Sequence, residues 1–581
     1  MSRPPNECPR KNGWKPVTLI VRRSNALLVA LAVLAIAALP RAAGAIPSPS
    51  GPLYGAYLAG VHAEATHDYG AADRWLTEAW RADPSARELV ARAFIAALAD
   101  GRFAEAQTLA LHEIALTPGD AVARLVLLIT ELKAGNAAAA LSSAEALPQE
   151  GIHRFVRPLA LAWTRVATGD FDGAEKALNA LDAFEDFAPL TYFQAGLIAD
   201  VAGHTQKAEA NFEKALKATK KINWRLTDVI GNFYLRQGLS AKAHSLYRRF
   251  RKENAYSDFA QSLLAHPPQG KPQPIIRSAS EGFAEALFDL ASVLDAPETR
   301  DLALIYTRLS LALSPQSGVA ELLLADILSA QDHPRQALDV LAEVPSTSRY
   351  SWSARLRIAA DLDAAGKKEK AIALLTGMAQ AEPTWSSADI ELGDIQREAK
   401  RYPEAVKAYE EAIGRLKAAG IAVGWSLDYS FGIALDRSGH WQEAEKTLLG
   451  ALKLKPDQPF VLNYLGYSWI DRGQHLHRGL KLLEKAVALR PGDGYIVDSL
   501  GWAHYRLGDY AAAVKYLQKA TELVPDDPTI NDHLGDAYWR AGRPREARFE
   551  WSQALQFGPK KSEIKPIEAK LERGLGPPPG G

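Results

Sequence analysis

Small and apolar side chains return along this chain at a fixed interval. Gly501 and Gly535 begin two stretches that can be laid over one another. Each is followed by Ala at twelve residues (Ala513, Ala547), Ala at nineteen (Ala520, Ala554) and Pro at twenty-four (Pro525, Pro559). Stepping back by 34 or 35 residues gives Gly466, Gly432, Gly393, Ala359, Ala325 and Ala291, with one wider step of 39 between Gly393 and Gly432. After a jump of 60 the register resumes at Gly231, Gly196, Ala162, Leu128, Phe94 and Gly60, making fourteen anchors. Thirteen carry Ala twelve residues on, and the other, slipped by one, offers Gly479. A small residue at two places per period marks helices that cross too closely for a larger side chain, and the Pro ends the second helix. Gly seven residues after most anchors, as at Gly508 and Gly542, supplies the left-handed residue that closes the first helix. The pattern predicts paired helices stacked into one continuous core, with Leu500, Leu517, Leu534, Trp551, Phe212 and Tyr409 inside it.

This register, with L-G, Ala, an aromatic or Leu, Ala and Pro in each period, resembles the tetratricopeptide repeat family. The resemblance covers about 500 of the 581 residues. It implies an all-α fold, a right-handed α-solenoid of about fourteen helix–turn–helix repeats with a C-terminal capping helix.

The period also divides the chain. Residues 1–45 read as a signal peptide and 46–52 as a linker. Six repeats occupy 53–257, a Pro-rich insert or hinge 258–283, eight repeats 284–561, a capping helix 562–575 and a disordered tail 576–581. The insert contains "AHPPQGKPQPIIRSASEG", whose four Pro and broken period make Pro267–Pro274 the expected site of internal proteolysis. Ile564, Ile567 and Leu571 stand at helical spacing, as a helix covering the last open face requires.

Composition alters the picture at one end. The first 45 residues hold seven basic side chains and one acid, so this segment is +6 and the remainder −6. An acidic body argues against nucleic acid as a partner. Arg22 and Arg23 precede an uncharged apolar run from Ala26 to Leu39, short for a membrane span and suited to a signal core. Small residues at Ala43 and Ala45 put the expected cleavage between Ala45 and Ile46, and the expected location in the periplasm. An uncleaved signal anchor in the inner membrane is the alternative. The single Cys, Cys8, leaves no disulfide within the chain and no thiolate zinc site.

Motifs for a phosphate loop, a serine nucleophile elbow, a zinc protease helix or a dinucleotide fold are absent from the sequence, so no enzyme activity and no cofactor is expected. His475, His477, His504 and His533 occupy unlike places in their repeats and read as solvated or locally bonded. Asp532 and Asp536 lie one helical turn apart and, with no basic partner nearby in sequence, read as polar surface.

The resemblance implies that the first helix of each repeat lines a concave groove. Its positions in repeats two to four are Ala91, Ile95, Leu98, Val122, Leu125, Ile129, Leu132, Trp163 and Val166, too apolar to face water, so another segment of the chain or a partner helix should cover them. In repeats twelve to fourteen they are Phe460, Asn463, Tyr467, Tyr495, Asp498, Trp502, Tyr505, Arg506, Asp532, Asp536, Trp539 and Arg540, a composition suited to recognising a protein or peptide. There, Trp502, Tyr505 and Trp539 are the expected anchors, and Arg506 and Arg540 the orienting charges.

The stretch from "VLNYLGYSWIDRG" through "GYIVDSLGWAHYRLG" to "INDHLGDAYWRAGRPREARFEW" resembles exported proteobacterial tetratricopeptide proteins. One type is an adaptor lipoprotein that delivers cell-wall hydrolases to a periplasmic carboxyl-terminal processing protease. The lipidated Cys of that type is missing here. The function implied is a non-catalytic periplasmic scaffold or adaptor that binds proteins or peptides in its groove and presents substrates to an envelope protease. A structural component of an envelope export or polysaccharide-secretion assembly is the alternative.

Overall fold

Each anchor of the sequence register sits in the first helix of a hairpin. The computed structural model describes residues 51–254, 256, 257, 259, 263, 264 and 272–576, with side chains from Tyr54 onward. The expected signal segment with Ala45 and Ile46, most of the Pro-rich insert and the last five residues lie outside the described residues.

The chain is all-α. The first six hairpins are Gly51–Ala65 with Tyr69–Ala82, Arg87–Asp100 with Phe103–Leu116, Ala121–Lys133 with Ala137–Glu145, His153–Ala167 with Phe171–Leu178, Ala188–Val201 with Thr205–Ala218, and Trp224–Arg236 with Ser240–Glu253. Hairpins 7 to 10 are Ala279–Leu294 with Arg300–Leu313, Gly318–Ala330 with Pro334–Ala342, Ser351–Ala364 with Lys368–Ala381, and Ser387–Glu398 with Tyr402–Ala418. Hairpins 11 to 14 are Trp425–Arg437 with Trp441–Leu454, Pro459–Asp471 with Leu476–Leu489, Gly494–Arg506 with Tyr510–Leu523, and Pro528–Arg540 with Pro544–Gln556. A last helix, Lys561–Arg573, follows.

The spacing of small residues has a steric cause. A Cβ on Gly501 would lie 2.7 Å from Leu517, and one on Gly535 2.5 Å from Trp551. Both neighbours stand sixteen residues on, in the second helix. Ala at twelve fills the same crossing; Ala72, Ala303, Ala513 and Ala547 are wholly buried. In the slipped twelfth repeat, Gly479 takes this place against the Gly466 carbonyl, and its extra residue is absorbed by His475 at φ 46°. Where the turn lacks Gly, the chain still takes the left-handed conformation, at Asp332 (φ 69°) and Lys400 (φ 62°).

Among the described residues the contacts form two compact units, one within 51–388 and one within 389–576. In the N-terminal unit the apolar wall of repeats two to four is covered by the chain itself. Helix Ala279–Leu294 packs against His153–Ala167, Ala188–Val201 and Ala121–Lys133, and its partner Arg300–Leu313 packs against Arg87–Asp100 and Ala121–Lys133. Leu98, Leu125, Ile129, Leu132, Trp163 and Val166 are all buried as a result. Gly282 lies so close to Trp163 that a Cβ there would overlap the indole ring. Ile95 departs from the expectation and remains exposed.

In the C-terminal unit the hairpins stack in sequence, each burying the aromatic or Leu of its neighbour, with Tyr409, Leu448, Leu517 and Trp551 in the interior. Among the described residues, no helix is long and apolar enough to cross a membrane, and no group of three or more His, Cys, Asp or Glu could hold a metal ion.

Candidate functional site

The inner-face residues of hairpins 12 to 14 all belong to the C-terminal unit. Helical spacing puts Trp502 and Tyr505 on one side of Gly494–Arg506, and their rings stack with centroids 4.6 Å apart. His533 of the next hairpin stacks on Trp502 at 4.0 Å. The result is three flat rings in contact, with Trp502 in the middle and only 7% exposed. Trp502 is therefore packed by its neighbours. Tyr467 is likewise interior at 2%. Tyr505 and Tyr495 are half-buried, and so is Phe460, which lies under the Arg490 guanidinium at 5.0 Å.

Charge is arranged in pairs across the hairpins. Asp498 is buried, with its carboxylate 2.9 Å from His533 Nδ1. Burial works against charge on the His533 ring, but Asp498, supported by Asp532 and Asp536, outweighs it and raises the imidazole above its ordinary value. Arg506 is exposed and donates to Asp471 at 3.0 Å. Arg540 bonds the Tyr505 hydroxyl.

Asp532 and Asp536 are not open surface. Lys570 of the last helix reaches both carboxylates, at 2.8 and 2.7 Å, and Trp551 Nε1 donates to Asp536 at 2.9 Å. Burial and Asp532 push Asp536 up to about 6, against the pull of Lys570. The basic partner of this carboxylate pair, Lys570, stands 34 residues after Asp536, beyond the repeat register. Trp539, expected to form a ladder with Tyr505, is covered from the same direction. It packs against Trp551 at 5.6 Å, lies under Arg548 at 5.2 Å and meets the backbone at Gly574. The last helix thus occupies the inner face of hairpin 14, leaving hairpins 12 and 13 to carry the candidate surface.

Beneath that surface lie two of the eighteen buried side-chain atoms without a hydrogen-bond partner among the described residues: Asn463 Oδ1, an acceptor, and Trp502 Nε1, a donor. A buried polar atom left unpaired costs about 1–3 kcal/mol, so such atoms are uncommon unless something else satisfies them. They come from the first helices of successive hairpins. An acceptor and a donor so placed suit the main chain of an extended segment, and neighbouring Tyr495, Tyr505 and Arg506 suit its side chains.

Residues 499–562 match the family model described as "Tetratricopeptide repeat". No curated protein matches the sequence. Among solved structures, the chain is similar to the APC/C hetero-tetramer Cut9–Hcn1, at 14% identity over 94% of this chain and 99% of that one, with a TM-score of 0.39. It is similar to MamA (residue 41 to the end) from Desulfovibrio magneticus RS-1, at 22% identity over 30% and 94%, with a TM-score of 0.26. It is also similar to the C-terminal part of a TPR repeat-containing protein from Cytophaga hutchinsonii, at 17% identity over 37% and 84%, with a TM-score of 0.30. At these scores the structural likenesses carry nothing about function. The family match spans most of hairpins 13 and 14, and the earlier hairpins share their register of small residues.

Proposed function

We propose that this protein is a non-catalytic scaffold that binds an extended segment of another protein along the inner face of hairpins 12 and 13. The observation that carries this reading is the unpaired acceptor Asn463 Oδ1 and the unpaired donor Trp502 Nε1, both buried on that face. Tyr505 and Arg506 are the side chains placed to add affinity and direction. The basic, apolar N-terminus and the resemblance to exported relatives support a periplasmic scaffold, and presentation of substrates to an envelope protease is the finer form of the proposal.

The test uses the full-length protein, tagged and purified from envelope fractions. Asn463→Leu removes the orphaned acceptor at similar volume. The melting temperature should hold or rise, because a desolvation cost disappears, while captured partner falls. Tyr505→Ala with Arg506→Ala should reduce affinity roughly thirtyfold, as loss of ~2 kcal/mol does. Full capture by both variants, each folded, would remove this face from consideration. Export is tested separately: the mature protein should begin at Ile46.

A further inference from the structure

The covering of the N-terminal wall rests on a polar seam. Helix Ala279–Leu294 is apolar where it meets the wall, through Phe283, Ala286, Leu287 and Leu290. It also carries two carboxyls into that interface, Glu285 and Asp289, one helical turn apart. Glu285 is held from both sides by Arg225 of hairpin 6, with Nε at 2.6 Å and Nη2 at 2.5 Å. The same guanidinium reaches Asp228 at 3.4 Å, and Asp228 also receives Arg349 Nη1 and the Tyr350 hydroxyl, each at 2.5 Å.

Asp289 is treated differently. Its bond comes from an uncharged amide, Gln194 Nε2 at 2.8 Å. That amide cannot turn over, because Gln194 Oε1 accepts from Trp163 Nε1 at 2.8 Å. The charged groups acting on Asp289 are Glu285 on its own helix and Arg225 on hairpin 6. The seam thus holds three carboxyls against two guanidinium groups, and the second guanidinium, Arg349, is committed to Asp228. Asp289, half-buried, is the carboxyl to which no cation bonds, and withdrawing a charge from water without a bonded counter-charge is costly.

We propose that hairpin 7 is a proton-held plug: one proton on the Asp289 carboxyl makes the seam neutral and keeps the hairpin seated, and loss of that proton releases it and uncovers the apolar wall at Ile129, Leu132 and Trp163. Burial and the Glu285 charge act in the same sense, raising the Asp289 carboxyl well above the usual carboxylate range. The seated form binds one proton more than the released form wherever the pH lies between the ordinary carboxylate value and this raised one. Over that window the seated form is favoured at low pH and loses about tenfold in its equilibrium for each unit of rise. The released wall would suit the apolar face of an amphipathic helix, since such a face is what covers it in the seated form.

The experiment is hydrogen exchange, read by mass spectrometry on the full-length protein from about pH 5 to about pH 7 and corrected for the intrinsic rate. Peptides covering 279–294 should open about tenfold more per pH unit, while helix Tyr510–Leu523 serves as reference. Asp289→Asn, neutral at every pH, should abolish that slope and keep the helix protected throughout. Asp289→Leu, neutral with a different shape, serves the same comparison if the first variant does not accumulate. A flat wild-type profile, or a slope that persists unchanged in either neutral variant, would overturn the proposal.

Discussion

Trp502 lies between Tyr505 and His533, and this stack decides what its mutation does. Removing a buried aromatic ring costs about 3–5 kcal/mol, so Trp502→Ala should lower the melting temperature of the C-terminal unit by several degrees, as read by calorimetry. Trp502→Phe keeps an aromatic ring in the stack and removes the unpaired N–H, so it should lose less stability than Trp502→Ala and bind its partner less tightly. The sequence put both rings on one face of one helix but not which lay deeper; that depends on His533, whose ring the neighbouring hairpin delivers. His533 supplies a second prediction at this scale. With Asp498 raising it, its ring should titrate above the ordinary 6.5. A group held above its unfolded value stabilises fully below that value and loses its contribution as pH rises through the folded one. The C-terminal unit should therefore melt lower as pH rises from the ordinary value through the raised one, and His533→Gln should flatten that slope. An unchanged slope would remove the His533–Asp498 pair as its source.

Helices and their crossings were the most legible level. A 34-residue period with Gly or Ala at the crossing is a direct imprint of packing distance, and the fourteen hairpins follow it, including the slip absorbed at His475. The wall of repeats two to four announced that something covers it, because Ile129, Leu132 and Trp163 cannot face water together. Its occupant was not legible, since the residues of helix Ala279–Leu294 that fill the wall have the same apolar character as any repeat helix. Gly282 against Trp163, the Glu285–Arg225 pair and the Gln194–Asp289 bond mark the fit, and all are visible only across hairpins. Ile129→Asp with Leu132→Asp should unseat hairpin 7 and make 279–313 exchange-labile or the protein aggregate. Unchanged exchange and solubility would contradict that packing. Lys570 went unread because it follows the last repeat, where the period no longer applies. Lys570→Ala leaves Asp532 and Asp536 facing each other without a cation, so the last helix should fray and become the first site of C-terminal proteolysis.

At the scale of the molecule, two inner faces differ in what covers them. Within 51–388 the chain fills its own wall; within 389–576 the last helix covers hairpin 14, and hairpins 12 and 13 present the half-buried Phe460 and Tyr505 and the exposed Arg506. Cleavage near Pro267–Pro274, in the insert largely outside the described residues, should give six-repeat and eight-repeat fragments. Because hairpin 7 is embedded among hairpins 2 to 5, those fragments should co-elute in native buffer and separate only in denaturant. The most direct measurement of the central claim is site-specific photo-crosslinking in living cells, with the reactive side chain placed at Tyr505 in one full-length protein and at Leu132 in another. Tyr505 should capture a second protein, and Leu132 should crosslink within the chain to 279–313. Capture of other proteins at Leu132, with none at Tyr505, would contradict it.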